Sequence, residues 1–318
     1  MKVSETTFLG LPAALEGDVA PKAVIAGVRH ATAYPEQDCT GHAAAAGAIR
    51  AASQEDAGFI GHFDFDLGGP LFGDGPVCCI DSGDIDTAAH DNATNRRRIE
   101  ETVKSILSTS AVPILMGGDC SVTIPFLSAF GGGAPIVVVQ IDAHIDWRED
   151  RFGERFGFSS PMRRASEMPH VAGMVQVGMR GVGSARPADV DDALAYGSRF
   201  VPARSVRAEG IDAVVAQVPK DARVVITLDC DSLDPSVMPG VVAQAPGGLT
   251  YAEIIDLIAA LGRHARIAGF NLVEFYPPAD IGNQSAIVAS RILANVIGAV
   301  VRQGSSGKGV DAKPIAPV

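Results

Sequence analysis

Short, continuous apolar runs alternate along most of the chain with longer segments in which apolar residues recur at helical spacing. The apolar runs predict strands at residues 22–28, 77–80, 112–116, 135–141, 175–179, 223–228 and 267–273. The helical spacing predicts helices at residues 41–53, 92–108, 121–130, 211–218, 251–261 and 285–301. Strands that are apolar along their whole length are usually buried on both faces of a sheet. The pattern therefore predicts a three-layer α/β/α fold with a central, mostly parallel sheet.

Length and composition indicate a single folded domain. The chain has 318 residues, of which 47% are hydrophobic and 20% charged, which excludes a disordered chain or a coiled coil. Because we find no internal repeat and no linker, we predict one domain over residues 1–303. Residues 304–318 begin with a run of Gly, Ser and Lys, and we expect them to form a flexible tail or an arm on a neighbouring subunit.

The charge balance and the N-terminal residues narrow the class of function. The 26 Lys and Arg residues against 37 Asp and Glu give a net charge of −11, which argues against a nucleic-acid partner. The N-terminus lacks the pattern of a secretory signal, and no uncharged apolar run approaches the roughly 18 residues of a membrane span. The 5 cysteines show no disulfide spacing and suit reduced thiols. We therefore expect a cytoplasmic protein that uses neither a nucleic acid nor a membrane as partner.

Acidic residues cluster directly after two of the predicted strands. Asp142, His144 and Asp146 follow one of them, and Asp229 and Asp231 follow another. Alternate residues on an extended backbone point to the same side, so we expect the members of each group to face one centre. Ligands of parallel α/β sheets bind at the carboxyl ends of the strands. Converging carboxylates need a compensating cation, and several Asp with one imidazole suit Mn²⁺, Ni²⁺ or Zn²⁺.

A less specific interpretation competes with the metal site. A single Asp-x-Asp pair more often caps a helix or faces solvent than binds metal. Two such groups, each at the end of an apolar strand, favour a metal site and offer enough ligands for two ions that share bridging carboxylates. Whether this chain still holds metal is a separate question that these residues leave open.

Three motifs, in order along the chain, resemble those of the ureohydrolases, the family of arginase, agmatinase and guanidinobutyrase. The family pattern Asp-Ala-His-x-Asp stands at 142–146, and Asp-x-Asp-x-x-Asp-Pro-x-x-x-Pro-Gly stands at 229–240. The pattern Gly-Gly-Asp-His-Ser reads Gly-Gly-Asp-Cys-Ser at 117–121. The resemblance implies the arginase-like fold and hydrolysis of a C–N bond in a guanidino or biguanide compound.

Carried over residue by residue, the resemblance implies a centre of two divalent metal ions. In this family one pair of aspartates bridges the metals, one pair of residues completes the shell of the first metal, and one pair completes the second. The predicted bridging ligands are Asp142 and Asp229. Cys120 and Asp146 are predicted to complete the shell of the first metal, and His144 and Asp231 that of the second. The family's metals are usually Mn²⁺ and in some members Ni²⁺, so two such ions are the expected cofactors.

The same resemblance assigns the chemistry of the site. In the family the metals activate a bridging water, and the resulting hydroxide attacks the guanidinium carbon. Glu274 would pair with the guanidinium group of the substrate through charge-assisted hydrogen bonds. We therefore predict Asp146 and Glu274 as catalytic residues and Glu274 as the substrate-binding residue.

Two of the four places where this chain departs from the family pattern bear directly on the chemistry of the site. Cys120 stands where the family has a histidine ligand of the first metal, and a thiolate binds Ni²⁺ or Zn²⁺ well but suits Mn²⁺ poorly. Phe158 stands where agmatinase-like members have a histidine that assists proton transfer, and phenylalanine can neither donate nor accept a proton. These changes can retune, weaken or abolish the metal site, so a chain without bound metal is the alternative.

The substitutions leave two functions open. The first is a diverged subunit, with weak or no activity alone, of a hetero-oligomeric ureohydrolase. Metformin hydrolase, which pairs a nickel-dependent subunit with a homologous second one, is similar in kind, and family trimers or hexamers offer surfaces for mixed assembly. The second is a self-sufficient agmatinase- or guanidinobutyrase-like metallohydrolase with Cys120 as a metal ligand. We favour the first.

Four further polar residues are placed outside the site. His30 and His42 are expected at the surface or at a helix cap, although either could shape the rim of a pocket. Asp84 and Asp86 fall where family members have a structural strand end, so we expect no role for them in the site.

Overall fold

The computed structural model describes residues 6–17 and 19–303, and its centre is one sheet of eight strands. These are β1 (Ala23–Gly27), β2 (Cys79–Asp84), β3 (Val112–Met116), β4 (Ile136–Ile141), β5 (Val171–Val177), β6 (Arg199–Val201), β7 (Arg223–Asp229) and β8 (Arg266–Val273). Their order across the sheet is β2-β1-β3-β8-β7-β4-β5-β6, and every neighbouring pair is parallel. The prediction of a central, mostly parallel sheet is confirmed.

Helices pack on both faces of this sheet. Within the described residues they are α1 (Thr40–Ala43), α2 (Ala45–Ala57), α3 (Asn92–Ser108), α4 (Thr123–Ser128), α5 (Pro161–Ala165), α6 (Pro187–Tyr196), α7 (Ala203–Glu209), α8 (Ile211–Val215), α9 (Tyr251–His264) and α10 (Gln284–Arg302). One core cluster joins α2, α9 and α10 to one face of the sheet through Ile49, Ile254 and Val296. A second cluster joins α3 and α4 to the other face through Ile99 and Phe126. The three-layer prediction is confirmed.

The continuous apolar runs of the central strands have a direct structural cause. All six residues of β4 are buried, and successive side chains alternate between the two core clusters. Val139 contributes to the first cluster and Val138 to the second. A strand covered by helices on both faces shows no polar alternation, because neither face meets water.

Several elements differ from the sequence-based expectation. The strand predicted at 77–80 is β2, which runs on to Asp84 because that residue pairs with Gly27 of β1. The helix predicted at 41–53 is divided at Ala44 into α1 and α2. Residues 121–130 contain only the short helix α4 between two 3-10 turns. Strand β6 and helices α5 and α7 have three, five and seven residues, too few for hydrophobic periodicity to predict them.

Helix α10 is the one described helix that is long and apolar enough to cross a membrane by length and composition. About 72% of its most apolar window is buried inside the protein, where it packs against α2 and α9. These contacts are those of a helix in the core of the fold. The tail expected at 304–318 lies outside the described residues.

The strand order brings four chain segments together at the carboxyl edge of the sheet. Strands β3, β8, β7 and β4 are consecutive neighbours, so the residues that follow them converge. After β3 the chain turns at Gly117, whose φ is +94°, and a Cβ there would lie 2.8 Å from the carbonyl oxygen of Val28. Only glycine fits this turn, which directs the chain into Cys120.

Candidate metal centre and its cavity

Five of the six predicted ligands converge at this edge and form two groups that share one residue. The ligand atoms of Cys120, Asp142 and Asp229 lie within 4.8 Å of one another, and so do those of Asp142, His144 and Asp231. Asp142 follows β4 directly, and Asp229 is the last residue of the neighbouring β7. A carboxylate common to both groups is the arrangement that a bridged pair of ions requires.

The expectation that alternate residues face one centre is only partly met. Asp142 and His144 do belong to one group, but Asp229 and Asp231 fall into different groups. The reason is local: Cys230 begins a 3-10 turn at the end of β7, so the backbone is not extended there. The Asp229 carboxylate accepts a hydrogen bond from the backbone N–H of Asp231 at 2.7 Å, which stabilises this turn.

The group containing His144 is held by direct contacts. His144 Nδ1 lies 2.9 Å from Asp231 Oδ2 and 3.4 Å from Asp142 Oδ1. Burial lowers the pKa of His144, but its contacts with the two carboxylates outweigh burial and raise the pKa to about 11. Burial, and then the charge of Asp231, raise the pKa of Asp142 to about 6. Without metal, this imidazolium is the cation that offsets the two carboxylates.

A second layer of buried polar side chains orients Asp142. Gln140 Nε2 donates a hydrogen bond of 2.6 Å to Asp142 Oδ2, and Gln176 Nε2 on β5 donates to Gln140 Oε1. Gln140 and Gln176 are direct register partners on neighbouring strands. The polar Gln140 inside an otherwise apolar strand is the signal in the sequence that could have identified this support.

In the other group, Cys120 takes the role of a hydrogen-bond donor. Cys120 is buried, and its Sγ donates to Asp229 Oδ2 at 2.8 Å. Burial, and then the charge of Asp229, raise the pKa of the Cys120 thiol well above its usual value. Burial, and then Asp231, also raise the pKa of Asp229. The thiol of Cys120 thus stays protonated and hydrogen-bonded to Asp229, whereas metal binding would need the thiolate.

Asp146 lies on the cavity wall outside both groups. Its Oδ2 atom is buried and has no hydrogen-bond partner among the described residues. Its φ is +48°, and the backbone N–H groups of Met162 and Arg163 both donate to its carbonyl oxygen. Burial, and then Asp142, raise the pKa of Asp146 well above its usual value. A buried carboxylate oxygen that has no hydrogen-bond partner, in a cavity lined by other acids, fits a bound cation.

The donor set as a whole fits divalent metal ions. Asp142, His144 and Asp231 offer carboxylates and an imidazole, which suit hard and borderline ions such as Mn²⁺ and Ni²⁺. The group with Cys120 adds a softer thiol, which suits Ni²⁺ or Zn²⁺ better than Mn²⁺. Buried carboxylates without compensation cost several kcal/mol, so the residues present are consistent with ions bound here.

Glu274 lies beside this centre and contacts His42, a histidine expected at the surface or at a helix cap. Glu274 Oε1 accepts a hydrogen bond of 2.8 Å from the backbone N–H of Cys120, and its Oε2 lies 3.0 Å from His42 Nε2. The ring of His42 is buried and packs edge-on against Tyr276 at a centroid distance of 5.0 Å. The expectation of a surface or capping role for His42 is therefore wrong.

No periodicity could have identified His42, because it stands on the four-residue helix α1. Its position depends on a tertiary contact: a Cβ on Gly41 would lie 1.9 Å from the ring of Tyr276, so glycine is needed there. Burial lowers the pKa of His42, but Glu274, Asp119 and Asp38 outweigh burial and raise it.

A cavity of about 860 Å³ opens above the centre. Its acidic base and walls are lined by Cys120, His144, Asp146, Asp229, Asp231 and Glu274. Phe158 also lines it and packs edge-on against Tyr34 at 4.7 Å, so no imidazole stands at that position. His30 does not line this cavity, and Asp84 and Asp86 pair with Arg50 and Arg98 outside it.

The fold and the centre define an α/β protein with a candidate site for two metal ions at the carboxyl edge of a parallel sheet. Comparison with known families gives the particular group: the model of the arginase family matches residues 21–298. The chain belongs to the arginase family, which confirms the resemblance read from its motifs.

Individual relatives carry different names. Over 228 residues the chain is 32% identical to an agmatinase from Chromobacterium violaceum, covering 70% of this chain and 68% of that protein. It is 31% identical over 228 residues to a guanidinopropionase from Pseudomonas aeruginosa, covering 68% and 70%. Among solved structures, proclavaminate amidino hydrolase from Streptomyces clavuligerus superposes with a TM-score of 0.79 at 28% identity, covering 95% of this chain and 98% of that one.

Proposed function

We propose that this chain is a diverged subunit of a guanidino-compound hydrolase and that it works in a hetero-oligomer of the metformin hydrolase kind, with little or no turnover alone. The observation that carries the proposal is the contrast between two ligand groups that share Asp142. One keeps carboxylates and an imidazole, whereas the other contains a thiol that donates a hydrogen bond to Asp229. A guanidino or biguanide compound is the proposed small-molecule partner.

Each side chain has a role in this proposal. When bound, divalent ions in such a centre lower the pKa of water and so supply a nucleophile at neutral pH. Cys120, Asp142, His144, Asp146, Asp229 and Asp231 are the residues proposed to hold them. Glu274 faces the cavity and suits the planar N–H donors of a guanidinium group. The acidic base of the cavity attracts a cationic group.

The names of the relatives and the divergence of the site support different parts of the proposal. Agmatinase and guanidinopropionase are named for guanidino substrates, which favours such a substrate here. Cys120 and Phe158 replace groups that metal binding and proton transfer use, which favours dependence on an active homologous subunit. We propose a trimer or hexamer in the cytoplasm, with Ni²⁺ or Mn²⁺ as the metal.

A second candidate is a self-sufficient agmatinase- or guanidinobutyrase-like enzyme. It is favoured by the position of Cys120 Sγ, which lies within ligand distance of the same point as Asp142 and Asp229. Loss of the thiol proton on metal binding would convert Cys120 into a ligand. The two candidates share a fold and a substrate class and differ in metal content and in activity of the isolated chain.

The first experiment is elemental analysis of the chain purified alone after loading with Ni²⁺ or Mn²⁺, together with a urea-release assay on guanidino and biguanide compounds. For a diverged subunit we expect at most about one tightly held ion per chain and little turnover. Co-expression with an active homologous subunit should give a stable complex. About two ions per chain with robust turnover would contradict the subunit proposal and support the second candidate.

Substitutions at Cys120 sharpen this test. In the subunit proposal, Cys120→His with Phe158→His raises the metal content, while Cys120→Ala leaves in place the one ion held by Asp142, His144 and Asp231. In the second candidate, Cys120→Ala abolishes activity and Cys120→His shifts the metal preference from Ni²⁺ toward Mn²⁺. Cys78→Ala is the matched control, because Cys78 is half-buried and lies outside both ligand groups.

A further inference from the structure

Charged side chains of both signs line the cavity. Besides the carboxylates of the candidate metal centre, its lining includes three arginines, Arg148, Arg151 and Arg186, and three further acids, Asp38, Asp150 and Asp189. Two of these arginines share one acid: Arg186 Nε donates to Asp189 Oδ2 at 2.8 Å, and Arg148 Nε lies 3.7 Å from the same atom. Their charge is therefore already partly compensated within the protein.

Arg151 is different, because aromatic rings rather than carboxylates hold its guanidinium group. Its Cζ lies 5.3 Å from the ring centre of Tyr34, 5.1 Å from that of Phe152 and 5.6 Å from that of Phe158. Among the described residues, no carboxylate oxygen lies within ion-pair distance of it and no side-chain hydrogen bond involves it. The rings fix the position of the cation and leave its N–H donors free.

The backbone also fixes Arg151. Its N–H and carbonyl groups pair with those of Glu154 at 3.1 and 3.0 Å, closing a tight turn. The acid of that turn, Glu154, accepts hydrogen bonds from the backbone N–H of Phe156 and from Asn92 Nδ2. Asp150, which precedes Arg151 and also lines the cavity, forms no ion pair with it among the described residues. Arg151 is thus a positioned, unpaired cation on the wall of a cavity with an acidic base.

We propose that Arg151 binds an anionic group at the far end of the substrate, so that the cavity selects guanidino carboxylates over guanidino amines. The inference rests on the proposed function, which places the guanidinium end of the substrate at Glu274. A guanidinium forms two parallel hydrogen bonds to a carboxylate, which makes arginine the suited residue for this contact. A substrate with a second positive charge would instead meet Arg151 with like charge.

The test compares three ligands that share a guanidinium group and a similar chain. 4-Guanidinobutyrate carries a carboxylate at its far end, agmatine carries an ammonium group, and n-butylguanidine carries no charge there. Binding to the full chain is measured by isothermal titration calorimetry, which does not depend on turnover. We expect 4-guanidinobutyrate to bind about tenfold more tightly than n-butylguanidine, and agmatine to bind most weakly.

Two substitutions separate the role of Arg151 from a general effect on the loop. Arg151→Met keeps most of the side-chain length and should remove the preference for the carboxylate while leaving the affinity for n-butylguanidine within about twofold. Arg155→Met is the matched control, because Arg155 is exposed on the same loop, pairs with Glu149 and does not line the cavity. This control should bind all three ligands as the unchanged chain does.

The outcomes distinguish this inference from the proposed function. If n-butylguanidine binds and the carboxylate has no advantage over agmatine, the inference is wrong and the guanidinium site stands. If the carboxylate preference survives in Arg151→Met, another residue carries it and the inference is equally wrong. If none of the three ligands binds, the guanidinium site itself fails, and the inference fails with it.

Discussion

Two clusters of acidic side chains in this fold differ in the kind of cation that balances their charge. In the first, the buried Arg50 on α2 meets two carboxylates of β2. Its Nε and Nη2 donate to Asp81 at 2.8 and 3.0 Å, and its Nη1 donates to Asp84 at 2.5 Å. In the second, the candidate metal centre, the basic side chains that lie within 4.0 Å of the carboxylates in the described part of the chain are those of two histidines, His42 and His144.

The difference indicates which cluster is structural and which is functional. The cluster around Arg50 contains a permanent cation, and Asp81 also accepts hydrogen bonds from the backbone N–H groups of Phe8 and Gly83. In the metal centre, Asp146 Oδ2 has no partner among the described residues, and the histidines can lose their charge. An incompletely balanced cluster of acids is suited to binding a cation from outside the chain.

The largest expected effect comes from breaking the balanced cluster. Arg50→Met should lower the free energy of unfolding by about 3–5 kcal/mol, because it leaves the buried Asp81 without its cation. Urea denaturation of the metal-free chain at neutral pH measures this. Arg97→Met is the control: the Arg97–Glu101 pair on α3 is exposed, and its loss should change stability by less than about 0.5 kcal/mol. A similarly small effect of Arg50→Met would show that the two clusters do not differ as described.

The sheet was predictable because it is buried on both faces, whereas the details of the site depend on tertiary contacts. The run before Asp142 identified β4, since neither of its faces meets water. Motif spacing then placed Asp142 and Asp229 at the ends of two strands, which are neighbours in the sheet. His42 and Arg151 could not be predicted, because each reaches the cavity from a short helix or loop whose path depends on aromatic contacts.

A second, smaller effect should have the opposite sign from the first. Asp146→Asn keeps the shape of a side chain whose φ is +48°, where asparagine is well tolerated, and replaces a half-buried acid whose buried Oδ2 has no hydrogen-bond partner among the described residues. We expect the metal-free chain to gain about 1–3 kcal/mol in free energy of unfolding. The stabilisation that added Ni²⁺ or Mn²⁺ gives should fall at the same time.

These two changes with Asp146→Asn are measured by urea denaturation with and without metal. Asp191→Asn, at an exposed position on α6, is the control and should alter neither quantity by more than about 0.5 kcal/mol. A loss of stability in metal-free Asp146→Asn would mean that the Asp146 carboxylate has a partner within the fold, and the metal centre would then be as balanced as the Arg50 cluster.

The smallest effect tests the candidate metal centre, where the cations beside the acids are histidines that can lose their charge. Glu274, Asp119 and Asp38 are the acids that face His42, and together they outweigh burial and raise its pKa above 6.5. A histidine with a raised pKa stabilises the fold fully below its unfolded pKa of about 6.5, and this contribution is lost as the pH rises through the folded value. His42→Gln should therefore cost about 1 kcal/mol of unfolding free energy at pH 6 and progressively less at higher pH. Arg50→Met should show no such decline between pH 6 and 9, because the Arg50 guanidinium that it removes stays charged throughout this range.

The same loss of the His42 proton frees Glu274 Oε2, 3.0 Å away, so n-butylguanidine should bind more tightly as the pH rises. A calorimetric pH series on the unchanged chain and on His42→Gln separates this effect from titration of the neighbouring carboxylates, which both proteins retain. Identical pH profiles of binding would show that His42 does not compete for Glu274.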